Sequence, residues 1–153
     1  MMKYTIALVV STLASVLADS NVLLPPPAVE NAKEEIAVVW INGAFCSTEA
    51  YKTIAQEFQK QAAASGIKAW VDIPAFVFET PEPLEMSSAI NTAKSVLQQG
   101  GFPEGNKMFV ASHSLGTYQT QNFLKKNPDA FEGHMMMGGG ITRDNYVNNN
   151  MTG

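Results

Sequence analysis

Short runs of uninterrupted apolar residues alternate along this chain with longer segments in which apolar residues recur every three or four positions. Residues 36–41 (Ile-Ala-Val-Val-Trp-Ile) are apolar throughout, the pattern of a strand covered on both faces, and the run stops at Asn42-Gly43. Over 48–65, Tyr51, Ile54, Ala55, Phe58 and Ala62 share one side of a predicted helix, while Lys52, Gln56, Gln59 and Lys60 fall on the others. Gly66 is a stop signal for that helix. A second strand is predicted at 67–73, ended by Pro74. Beyond a loop with Pro81 and Pro83, Met86, Ala89, Ile90, Ala93, Val96 and Leu97 give the stripe of a helix over 84–99, closed by Gly100-Gly101. A third strand is expected at 107–112. A third helix is expected at 115–126, with Lys125 and Lys126 at its negative end and Pro128 beyond it. A short fourth strand is expected at 133–138, where Met135-Met136-Met137 read as core residues. The Gly- and Asn-rich remainder reads as loop.

Strands alternating with helices predict an α/β fold: a parallel sheet with right-handed crossovers and helices on both faces. Ligands bind such sheets beyond the carboxyl ends of the strands. The chemistry is therefore expected at 42–46, 74–78, 112–116 and 138–144.

The N-terminus carries a different signal. Lys3, the mainly apolar run 4–17 and the small-residue spacing of Val16-Leu17-Ala18 predict a secretory signal peptide over 1–18, cleaved after Ala18. The run is shorter than the ~20 residues of a stable membrane span. Residues 19–34 are expected as an extended leader stiffened by Pro25-Pro26-Pro27, and 35–153 as the domain. A net charge of −4 and the lack of a basic stripe speak against nucleic acid and anionic membranes as partners. The lone Cys46 excludes an internal disulfide, and with two histidines it offers a poor metal-ligand set. No metal or other cofactor is expected. Gly100-x4-Gly105-Asn106-Lys107 lacks the ending of a phosphate loop and precedes a strand rather than a helix. Asn150-Met151-Thr152 is a glycosylation sequon compatible with secretion.

The most informative segment is Ser112-His113-Ser114-Leu115-Gly116, between the third strand and third helix. It resembles the nucleophile elbow, G-x-S-x-G, of α/β-hydrolases such as esterases and lipases. In that motif the central serine stands on a strained turn, and its neighbours two residues away are small because strand and helix approach closely. Gly116 meets that demand, and Ser112 stands where the family has its first glycine. Asn42-Gly43-Ala44-Phe45 matches the place of the family's His-Gly-X oxyanion loop, with Asn42 for the usual histidine. The resemblance spans about 35–140, the fold's third to sixth strands. It implies Ser114 as nucleophile and an oxyanion hole of backbone N–H groups from Leu115 and Ala44, with Phe45 as the second choice of loop donor. Cys46 is expected to be a small packed residue.

The family supplies a histidine base and an acid that orients it, in the order serine, acid, histidine. His113 adjoins the nucleophile and is expected to point away from it. His134 starts the fourth strand, at the wrong end of the sheet. Asp144 follows that strand, where some lipases place their acid, but an ordinary exposed loop aspartate is the preferred reading. The family also continues with two further strands. The chain is therefore expected to be an N-terminal portion of a hydrolase, nearly inactive as written. The functional expectation is a secreted serine hydrolase acting on small-molecule or lipid carboxylic esters, with Phe76, Val77 and Phe78 lining a substrate pocket or packing in the core. The alternative is a non-catalytic secreted binding module on the same scaffold.

Overall fold

The computed structural model describes residues 20–143; the expected signal peptide, Asp144 and the sequon lie outside them. Five strands form one sheet: β1 (Val22–Leu24), β2 (Glu34–Ile41), β3 (Ile67–Ile73), β4 (Met108–His113) and β5 (His134–Met137). Their order is β1-β3-β2-β4-β5. All neighbours are parallel except β1, which runs antiparallel to β3 with Leu23 opposite Asp72. Three helices connect them: α1 (Thr48–Ala64), α2 (Met86–Gly100) and α3 (Leu115–Lys126). The architecture is the expected α/β sheet.

The central strands are apolar on both sides because both sides are covered. Val38, Trp40, Val71 and Ile73 pack with Tyr51 and Ala55 of α1. On the other face Ala37, Val39, Ile41 and Val110 pack with Met86, Ile90, Ala93 and Leu97 of α2, joined by Phe123 and Leu124 of α3. This two-sided burial keeps the carboxyl ends of β2 and β4 fixed relative to one another, and the candidate site stands on those ends.

The structure departs from the sequence expectations in four places. The leader is not separate from the sheet: Val22–Leu24 forms its antiparallel edge, and Leu24 is buried in the core. Gln59, expected on a helix face away from the apolar stripe, is buried instead, and the two hydrogens of its amide are shared among the carbonyls of Leu24, Pro25 and Ala69 at 2.8–3.1 Å. Those bonds fasten the start of the chain to α1 and β3. Ile54, expected on the apolar stripe, is exposed. The methionines of β5 are at an edge rather than in the core, since the strand pairs only with β4 among the described residues; Met135 is exposed and Met137 packs partly inward.

Candidate functional site

The turn between β4 and α3 has an unusual backbone. Ser114 adopts φ 50° and ψ −121°, a region that L-residues avoid and that costs of order 1–3 kcal/mol. Neighbouring contacts enforce it. The Ser114 N–H donates to the Met137 carbonyl at 3.1 Å, and the Ser114 carbonyl accepts from the Thr117 N–H at 3.0 Å. Gly116 packs so closely on β2 that a Cβ would overlap the Asn42 carbonyl oxygen and stand 2.9 Å from Ile41 Cγ2. Ser114 itself is partly exposed.

Ser112 and Thr117 lie buried beneath the turn. The Ser112 hydroxyl lies 3.2 Å from Thr117 Oγ1 and 2.5 Å from His134 Nε2. Ser112 thus joins β4 to β5 and α3 through polar contacts. Burial lowers the His134 imidazole to about 4, so the ring is neutral at physiological pH. Its Nδ1 is buried and has no partner among the described residues.

The second turn, after β2, is pressed against the first. A Cβ on Gly43 would stand 3.2 Å from Ser114 Cβ, 2.9 Å from His113 Nδ1 and 3.2 Å from the Tyr51 hydroxyl. Its backbone donors are divided unequally. The Gly43 N–H donates to the Tyr51 hydroxyl at 2.8 Å, the Phe45 N–H to Thr80 Oγ1 at 3.2 Å and the Cys46 N–H to the Glu79 carbonyl at 3.2 Å. Among the described residues the Ala44 N–H has no protein partner, and neither has the Leu115 N–H at the start of α3. Phe45, the second choice of loop donor, has its N–H engaged, and its own backbone is strained at φ 57°. Asn42 is fully buried and closes the turn by donating from Nδ2 to the Cys46 carbonyl at 2.7 Å. Cys46 is half-buried, with its thiol 3.4 Å from the Ala44 carbonyl.

The histidines are both turned elsewhere. His113 Nδ1 lies 2.7 Å from the Tyr51 hydroxyl, and its Nε2 faces Gly138. Burial pushes the Tyr51 hydroxyl up to about 12, with the Gly43 N–H pulling the other way and Cys46 adding to the rise. Tyr51 therefore stays protonated. His134 is committed to Ser112. Among the described residues no grouping of His, Cys, Asp and Glu could hold a metal ion, and no helix is long and apolar enough to cross a membrane.

The loop after β3 splits the three residues expected to line a pocket or the core. Phe76 is buried in the core, yet with Val77 it also borders a cleft of about 300 Å3 that includes Asn21, Leu84, Glu85 and Ser88. Phe78 is exposed. Beside this loop, Asp72 is fully buried; burial raises its carboxyl to about 7, opposed by the hydrogen bond from Asn21 Nδ2 at 3.0 Å. Tyr51, Thr80, Asp72 and the Ser112–His134 contact went unmarked in the sequence. Tyr51 read there only as an apolar stripe position, and Asp72 as one polar residue inside a strand.

No protein-family model matches the chain, and no curated protein matches it. Among solved structures it is similar to YbtT, described as a type II thioesterase from the yersiniabactin NRPS/PKS biosynthetic pathway, at 14% identity and a TM-score of 0.37. The alignment covers 78% of this chain and 49% of that one, so the chain spans about half the length of this neighbour.

Proposed function

We propose that the protein is a secreted serine hydrolase acting on carboxylic esters, with Ser114 as nucleophile. The observation that carries this reading is the strained, partly exposed Ser114 held against the Gly43 turn. In the proposed reaction the Ser114 oxygen attacks the ester carbonyl carbon and its proton passes to a base. The negative oxygen of the tetrahedral intermediate rests between the Ala44 and Leu115 N–H groups; the ester C–O bond then breaks, the base returns its proton to the departing alcohol, and water cleaves the Ser114 acyl ester to release the acid. Preformed donors of this kind strengthen selectively as charge develops on the oxygen. Among the described residues the Ala44 and Leu115 N–H groups have no protein partner, while those of Gly43, Phe45, Cys46 and Ser114 are engaged, and this supports that assignment. The secretory part of the reading rests on residues 1–18 of the sequence.

Neither described histidine is hydrogen-bonded to Ser114; His113 contacts Tyr51 and His134 contacts Ser112. That same commitment favours a second reading, a secreted binding module that keeps the scaffold without turnover.

A fluorophosphonate separates the two. Added imidazole supplies the base, the Ser114 oxygen bonds to phosphorus, fluoride leaves and imidazole takes the proton. The expected result is one adduct on the Ser114 peptide, accelerated by imidazole and abolished in Ser114→Ala. No adduct, or one that survives Ser114→Ala, overturns the hydrolase reading and leaves the binding module.

A further inference from the structure

Three parts of the fold meet at the Tyr51 hydroxyl: α1, which carries it; the turn after β2, through the Gly43 N–H at 2.8 Å; and the end of β4, through His113 Nδ1 at 2.7 Å. We propose that Tyr51 and His113 are positioning residues that hold the Gly43–Ala44 peptide against Ser114, with His113 kept as the neutral tautomer that accepts at Nδ1 and carries its hydrogen on Nε2. This inference rests on the hydrolase reading.

The argument starts from Gly43. A Cβ there would push on His113 Nδ1 at 2.9 Å and press on Ser114 and Tyr51 at 3.2 Å, so the tight turn favours glycine. Glycine is also the residue whose backbone is least restrained. A donor one residue on must nevertheless point at a fixed place, since a misaimed N–H loses most of its hydrogen-bond strength. The Tyr51 hydroxyl removes the freedom on one side of the Ala44 amide. On the other side the Phe45 N–H is tied to Thr80, and the Cys46 carbonyl is tied to Asn42. Ala44 is thus bracketed by fixed peptides while its own N–H stays open.

The tautomer follows from hydrogen-bond supply. Tyr51 has one hydrogen to donate and already accepts from Gly43. The two acceptors in reach are the Cys46 sulfur, a weak one, and His113 Nδ1, a strong one. Donation to Nδ1 leaves the imidazole hydrogen on Nε2, on the side of Gly138. His113 is then an acceptor that orients Tyr51, and its ring is unavailable to take the Ser114 proton.

The test uses the full chain, with imidazole as base and a fluorophosphonate as probe. Tyr51→Phe and His113→Leu are each expected to slow phosphonylation of Ser114 about tenfold, less than the ~10²–10³ that outright loss of an oxyanion donor costs. His113→Gln, whose amide oxygen accepts the same hydrogen bond, restores the rate. A structural role alone would show as a lowered melting temperature without this selective rescue. In 15N-histidine spectra, wild-type His113 is expected to show a bare Nδ1 and a protonated Nε2, and Tyr51→Phe to lose that preference. Wild-type labelling left unchanged by Tyr51→Phe, or a hydrogen found on Nδ1, overturns this proposal alone. Absence of any Ser114 adduct in the wild type strikes the hydrolase reading instead, and the tautomer still reports on the tether.

Discussion

Gly116 touches the backbone of Asn42 so closely that no side chain can stand between the start of α3 and the end of β2. The atom in the way is a main-chain carbonyl in the middle of the fold, which cannot swing aside as a side chain would. Gly116→Ala is therefore expected to destabilise the protein by about 1–3 kcal/mol, the usual range for overpacking. A lowered melting temperature, with slower Ser114 phosphonylation, is the measurement; an unchanged melting temperature would mean that the helix moves freely.

Ser114 holds a strained backbone, so stability and reactivity are opposed at this one residue. Ser114→Gly relieves the conformation, because glycine tolerates φ 50° and serine does not. The variant is expected to gain about 1 kcal/mol in denaturant unfolding while losing all labelling. Ser114→Ala loses labelling without that gain. Equal stabilities of the two variants would show that the strain is negligible.

Asp72 and His134 give opposing pH dependences. Asp72 titrates at about 7 when folded, above its ordinary 3.8. The stability it contributes is whole below 3.8 and is lost as pH rises to 7. His134 titrates at about 4 when folded, below its ordinary 6.5. The stability tied to its neutral form is whole above 6.5 and is lost as pH falls to 4. Each contributes a slope of about 1.4 kcal/mol per pH unit of opposite sign, so the two cancel over most of the range from 4 to 6.5. Relative to wild type, Asp72→Asn is expected to make stability rise with pH in that range, by up to about 3 kcal/mol. His134→Gln, which can still bond Ser112, is expected to make it fall. Urea unfolding at several pH values reads both; parallel curves for all three proteins would refute the assignment.

Gln59 anchors the edge strand. Its amide serves the carbonyls of Leu24, Pro25 and Ala69. Gln59→Leu leaves them without that donor and is expected to lower stability by about 1–3 kcal/mol. The loss should concentrate in β1, seen as faster amide exchange there than in β4.

Features that depend on one stretch of chain were legible in the sequence. The apolar runs of β2 and β3, the helical stripe carrying Met86, Ile90, Ala93 and Leu97, and the small-Ser-small turn at 112–116 each carry their own period or spacing. β1 was not, because three residues are too few to show alternation and its partner lies about fifty positions away. Gln59 and Asp72 are polar residues buried by what a distant segment offers them: carbonyls for one, Asn21 for the other. Of the candidate site, the sequence marked the serine and the glycine turn. The hydroxyl that ties that turn to His113 was invisible, since Tyr51 fits the apolar stripe equally well by its ring. That His134 belongs under the turn, bonded to Ser112, also required the β4–β5 register.

The amide of Ser114 hangs from Met137, the last residue of a four-residue strand that borders the sheet among the described residues. A strand this short has few bonds of its own to hold it, and without its Met137 carbonyl the strained turn would keep only the Thr117 bond and the Gly116 contact. Whatever clasps or loosens the border from outside acts as a dial on the serine without touching it.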